Sequence, residues 1–175
     1  MKTFFALLVI FAPATYAGDI PNLPPGTVLL STNLDESLNT SPGELNHASI
    51  IGAHGEIIES QATKMEHGNG PGVIRTSIAD YAARKYAPPI ILYPRDERLG
   101  AKAAAKAETL VGLPYRKASS VLPKDRRPER GLNCVSVVRI AYTGATGKRV
   151  RIRKPDDILR MPELTKNKPK PARAA

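Results

Sequence analysis

The chain holds one cysteine, Cys134, and three histidines, His47, His54 and His67. A lone thiol becomes a nucleophile when its proton is drawn off by a base and its charge is stabilised. Cys134 follows Asn133, a good helix-capping residue, in "GLNCVSVVRIAYTG". That places it in a first helical turn, where unpaired N–H groups and the positive dipole end favour an anion. His47 and Glu59 share the stretch "LNHASIIGAHGEIIES" and stand twelve residues apart. Side chains alternate along a strand with period two, so an even spacing sets both on one face. If Ala53-His54-Gly55 form a three-residue hairpin loop, Ser49 lies opposite Glu59 and His47 opposite Gln61. Glu59 is then a diagonal neighbour of His47, within reach of a hydrogen bond. A carboxylate that holds one imidazole nitrogen leaves the other to take a proton from a thiol. The spacing thus offers Cys134 as nucleophile, His47 as base and Glu59 as the group that orients it. It equally fits a hairpin with a wet polar face and a small apolar residue opening a helix.

Other candidates carry less. His54 falls in the expected turn and His67 in the glycine loop "HGNGPG", where each reads as an exposed loop residue. No spaced metal-ligand motif such as His-Glu-x-x-His or Cys-x-x-Cys is present, and no metal or other cofactor is expected. The glycine loop lacks the strand-to-helix context and the Lys-Ser/Thr of a phosphate loop.

The elements that must position these groups can be read from patterning. Strands are expected at Thr27–Leu30, at 47–52 and 56–61 around the hairpin turn, and at "PIILY". "TSIADYAARKYA" reads as a short helix capped by Thr76 or Ser77, with Asp80 in its first turn. "RDERLGAKAAAKAETLVG" reads as a longer helix capped by Asp96 and ended by Gly112 and Pro114. The helix that starts at Cys134 is expected to stop at Gly144 after about ten residues. "KRVRIR" alternates like an edge strand, and "PDDILRM" opens a helix on Pro155 with two acids in its first turn. The fold class is α+β, with a small antiparallel sheet against helices.

Composition narrows the setting. The 175 residues suffice for one domain with a core, and 42% hydrophobic content argues for a globular chain. Aromatic residues make up only 5%, so aliphatic side chains and alanine must build that core. Residues 1–17 show a lysine, an apolar run from Phe4 to Ala12, and small residues at Thr15 and Ala17. This is the layout of a secretory signal peptide, and the run is too short to span a bilayer. The expectation is a periplasmic or secreted protein with a domain over 18–162 and a basic, disordered tail over 163–175. Formal net charge is +10, yet residues 18–63 contain no lysine or arginine. Positive charge gathers in "YRKASSVLPKDRRPER", "GKRVRIRKPDDILR" and "KNKPKPARAA". Such asymmetry suits an anionic envelope polymer or lipid head groups, and equally a solvated basic surface. Basic residues are not interleaved with aromatics, so nucleic acid is not the expected partner.

"HASIIGAHGEIIES" resembles, without gaps, the histidine strand of NlpC-type cysteine hydrolases. "VGLPYRK" and "GLNCVSVV" resemble the Gly-x-Pro-Tyr segment and nucleophile helix of the same superfamily. Histidine and glutamate here precede the cysteine, which is the order of the circularly permuted papain-like group, the YaeF/YiiX-like amidases. "PGTVLL", "GVIRTSIADYA" and "PDDIL" are similar to that group's opening strand, Gly-Val-Arg stretch and Pro-x-Asp-Leu ending. The resemblance covers Pro25 to about Met161. It implies a circularly permuted papain-like (NlpC-type) fold, with Cys134 as nucleophile, His47 as base, Glu59 as third polar residue and Tyr115 lining the substrate cleft. The group usually has serine directly after the cysteine, often followed by an acid. Val135 and Ser136 stand here instead, so substrate choice does not carry over. The expected function is a monomeric, exported cysteine hydrolase cleaving an amide bond, with cell-wall peptides as a substrate class. The alternatives are a thioesterase or acyltransferase acting on acyl lipids with the same trio, and a non-catalytic cationic binding module.

Overall fold

The opening hairpin forms as its alternation and its turn require. Strand β2 runs His47–Ile51 and strand β3 Ile57–Gln61. They pair antiparallel with Ser49 opposite Glu59 and Ile51 opposite Ile57, the expected register. Gly55 takes φ +87 in the turn, a conformation open to glycine and strained for other residues. The computed structural model describes residues 23–32, 45–62, 72–84, 88–116 and 128–168. The expected signal peptide over 1–17, the loop around His67 and the end of the tail lie outside those residues.

Four more strands extend the hairpin into an antiparallel sheet: β1 Val28–Ser31, β4 Gly72–Thr76, β5 Ile90–Pro94 and β6 Leu164–Thr165. Their order is β4-β3-β2-β1-β5-β6. Among the described residues there are four helices, α1 Ile78–Ala82, α2 Glu97–Glu108, α3 Cys134–Thr146 and α4 Pro155–Ile158. The fold is α+β.

Alternation divides the sheet's side chains between two faces. Val28, Leu30, Ala48, Ile50, Ile58 and Val73 bury one face against α2 and α3, which supply Ala103, Ala107, Val137, Val138 and Ala141. Leu29, Ile51 and Ile57 bury the other with Tyr81 of α1. That second face also carries His47, Ser49, Glu59 and Gln61, all buried.

Caps explain the helix starts. Ser77 accepts from the Asp80 N–H, Asp96 from the N–H groups of Arg98 and Leu99, and Asn133 from the Ser136 N–H. Four expectations need correction. Helix α3 passes through Gly144 and stops at Gly147, which has φ +68. Gly144 is accommodated inside the helix beside the Lys106 side chain. Strand β4 was not expected; its five residues follow a glycine-rich run without a turn signal that marks a strand. "KRVRIR" buries Val150 and Ile152 and exposes its arginines, but joins no ladder. The Val150 N–H bonds Thr143 Oγ1 and the Ile152 carbonyl accepts from Arg139 instead. Finally, the stretch from 163 does not begin a disordered tail. The Arg95 N–H bonds the Glu163 carbonyl, and Leu164 is buried in β6 against β5.

The outer edge at β4 is covered in part by the turn that follows α2. The Val73 N–H bonds the Leu113 carbonyl and the Gly112 N–H bonds the Val73 carbonyl, both at 2.8 Å. Gly72 lies so close that a Cβ there would fall 2.4 Å from the Leu113 oxygen.

Candidate active site

Glu59 is the most buried charge of the sheet, with no exposed surface. Burial alone would raise its pKa, because a desolvated carboxylate prefers to be neutral. Four donors overrule that. Glu59 Oε2 lies 2.7 Å from His47 Nε2 and accepts from Gln61 Nε2 at 2.8 Å. Glu59 Oε1 accepts from the Thr76 hydroxyl and from Arg84 Nη1. His47 and the cation of Arg84 hold the Glu59 carboxyl down to about 2. It is ionised throughout the neutral and mildly acidic range.

Each donor arrives on its own element. His47 opens β2 and sits beside Ser31 of β1. Gln61 ends β3 two residues beyond Glu59, on the same face. Thr76 ends β4, one rung diagonally from Glu59. Arg84 lies in the turn after α1, whose Tyr81 ring is 5.7 Å from the guanidinium, a cation–π distance. Tyr81 is itself anchored by its hydroxyl to Ser31 Oγ.

Cys134 comes to this cluster from the other end of the chain. The loop before it is fastened at two places. Ser60 Oγ donates to the Leu132 carbonyl at 2.7 Å, and Leu132 bridges to Tyr115 through hydrogen bonds to Pro114 and Arg116. Asn133 then caps α3, and the partly exposed thiol of Cys134 meets the His47 ring. Burial pushes the thiol pKa up. The hydrogen bond and charge of His47, with the N–H groups of Ala48 and Val135, outweigh burial and leave it below the usual thiol range. With one ring nitrogen on Glu59, the other is the one that serves the thiol.

The half-buried hydroxyl of Tyr115 is raised above its ordinary range, by burial first and by the neighbouring Cys134 second. Tyr115 therefore stands beside Cys134. The four expected residues come together. His54 lies exposed in the turn, apart from them. Among the described residues, no three His, Cys, Asp or Glu side chains cluster as metal ligands.

Sequence reasoning missed Thr76 and Arg84. In the sequence Thr76 reads only as a helix cap, because nothing there marks β4. Arg84 gave no signal beyond being a cation near a short helix. The expected register, which sets Gln61 opposite His47, is the one observed, and the Gln61 amide also donates to Glu59. No protein-family model, curated protein or solved structure matches the chain.

Proposed function

We propose that this protein is a cysteine hydrolase that cleaves an amide bond through an acyl-enzyme, on a circularly permuted papain-like fold. The observation that carries the reading is the His47 ring, held by a fully buried carboxylate on one side and facing the thiol that opens α3 on the other.

In this reading His47 takes the thiol proton and the Cys134 sulfur attacks the substrate carbonyl carbon. The carbonyl oxygen becomes an oxyanion. In the first turn of α3, the N–H groups of Ser136 and Val137 are held by Asn133, and that of Val135 is turned toward the thiol. The Cys134 N–H is the donor of that turn assigned to the oxyanion. His47 gives its proton to the leaving amine as the C–N bond breaks, which leaves a thioester. Water then attacks, His47 accepts its proton, and the acid departs as the thiol reforms. Glu59 keeps the ring oriented and offsets the imidazolium charge, and Arg84 in turn offsets the charge of Glu59.

The leader-like residues 1–17 and the basic surface favour an envelope setting, and with it peptidoglycan peptides as the substrate. Among the described residues no helix is long and apolar enough to cross a membrane. The test incubates the protein with purified cell-wall peptide fragments and, separately, with acyl lipids, and identifies products by mass. Cys134→Ala and His47→Ala are each expected to abolish peptide turnover. The double variant is expected to be no worse, since members of a catalytic unit are not additive. Full activity of Cys134→Ala on a substrate the unaltered protein turns over sinks the mechanism. Turnover of acyl lipids alone replaces the amidase by an acyl-lipid enzyme.

A further inference from the structure

A cleft of about 850 Å³ opens between the segment after α3 and the end of α4, and its walls include none of Cys134, His47, Glu59 and Tyr115. Its lining holds six cationic side chains, those of Arg139, Lys148, Arg149, Arg151, Arg153 and Arg160, against two acidic ones.

Neither acid forms an ion pair with these cations among the described residues. The Asp157 carboxylate accepts from the N–H groups of Arg153 and Lys154, capping α4. The Glu163 charge, after burial, holds the Tyr142 hydroxyl above its ordinary range, and its buried Oε2 accepts no hydrogen bond from the described residues. Arg139 is buried and structural. It donates to the Ile152 carbonyl at 2.9 Å and to Ser136 Oγ at 3.0 Å, and so ties the segment to α3.

The other five cations are different. Among the described residues none of them has a carboxylate within salt-bridge distance. Like charges gathered in a concave wall repel, and an anion there relieves the repulsion. Their arrangement is also regular. Val150 and Ile152 point into the core, which turns Arg149, Arg151 and Arg153 outward from one extended segment. Alternate residues of an extended chain stand about 6.6 Å apart, so the three arginines make an evenly spaced row. That row runs along backbone that pairs with no strand. Arginine matches phosphate oxygens with a two-pronged hydrogen bond, and four of these five cations are arginine.

We infer that this cleft is a binding site for a flexible, linear, phosphate-bearing polymer, one phosphate to each arginine of the 149–151–153 row. The row reads successive charges along one chain. A concave cleft admits such a chain and does not fit a flat bilayer. The site stands apart from the thiol and does not depend on its chemistry. In an envelope it holds the protein on an anionic polymer while the thiol, outside the cleft, works.

The test uses the full chain and a dye-labelled inorganic polyphosphate of defined length, with fluorescence anisotropy read across a salt series. Arg149→Ala/Arg151→Ala/Arg153→Ala is expected to weaken binding at least about 30-fold. It is expected to lower the slope of log K against log salt by about 2, since each phosphate contact on a single strand contributes about 0.7. The three side chains are exposed, so the variant keeps its fold, checked by circular dichroism. The control removes the same charge elsewhere, in Lys102→Ala/Lys166→Ala/Lys168→Ala, and is expected to change binding less than about 3-fold. Equal losses in both variants would mean attraction to net charge alone and overturn the site. So would binding of free inorganic phosphate as tight as that of the polymer, or binding to phosphatidylglycerol vesicles with none to polyphosphate.

Discussion

Replacing Glu59 by glutamine tests whether the centre is one charge-balanced unit. Glutamine keeps the shape and removes the charge. A carboxylate accepts on both oxygens, whereas an amide has one acceptor oxygen and one NH2 donor. Glu59 meets His47 and Gln61 on one oxygen and Thr76 and Arg84 on the other. However the amide turns, Arg84 loses the anion that offsets its burial, and its side chain is only 9% exposed. Breaking a buried ion pair by removing one partner costs about 3–5 kcal/mol. In a domain of this size each kcal/mol moves the melting temperature by about 2–4 °C, so Glu59→Gln should lower Tm at pH 7 by about 6–20 °C. Removing the stranded cation as well should restore much of the loss, so Glu59→Gln/Arg84→Met should recover at least about 2 kcal/mol. Acid adds a second readout. The Glu59 pKa is lowered from 4.5 to about 2 on folding. Its contribution, about 3 kcal/mol, is therefore present above pH 4.5 and is lost as pH falls toward 2. The glutamine variant lacks that loss, and its stability should fall less steeply between those values. Thermal melts and urea titrations followed by circular dichroism at pH 7, 4.5 and 3 measure all of this. A Glu59→Gln protein with unchanged Tm at pH 7 and the same acid slope would refute the charge-balance reasoning.

Two further outcomes follow from other parts of the structure. Cys134 should be alkylated by iodoacetamide with a rate that rises well below the ordinary thiol pKa of about 8.5, and His47→Ala should move that rise back toward it; an unchanged profile in His47→Ala would dismiss the thiol–imidazole contact. Gly100→Ala should destabilise by about 1–2 kcal/mol in urea, because its Cβ would sit 2.6 Å from the Pro25 oxygen and the Pro94 ring, whereas Gly144→Ala meets only the flexible Lys106 side chain and should be neutral or stabilising; the reverse ranking would contradict the packing described.

What could be read beforehand depended on how local the cause was. The β2–β3 register followed from one glycine turn and a period of two, so the His47–Glu59 contact was legible within sixteen residues. The caps at Ser77, Asp96 and Asn133 were legible because each acts on backbone two or three residues away. Arg84 was not, because its contact with Glu59 requires α1 to fold back over a face of the sheet that includes an unforeseen strand. Gly144 misled because a glycine ends helices by virtue of its backbone, yet is also used where a neighbouring side chain crowds the helix. The alternation in "KRVRIR" marked burial correctly, but a strand also needs a partner, and α3 supplies the hydrogen bonds instead. That Cys134 reaches His47 was suggested by family resemblance and by helix-cap chemistry, since the eighty-six residues between them carry no local signal of it.

The turn laid along β4 has a consequence for how anything extended could be recognised. An exposed strand edge is a template on which a foreign peptide, or a second copy, can add itself through main-chain hydrogen bonds. Here Val73 already spends its outward amide and carbonyl on Gly112 and Leu113, and the next outward position carries the exposed, charged Arg75, bonded to Glu108. At the opposite border β6 is only two residues long. Among the described residues, the β4 border offers little unclaimed backbone, and β6 covers β5 only at Tyr93 and Pro94. On the proposed hydrolase reading, a substrate is then chosen by side-chain contacts around Cys134 and not by strand pairing at β4, and the same turn guards that edge against stacking into fibres.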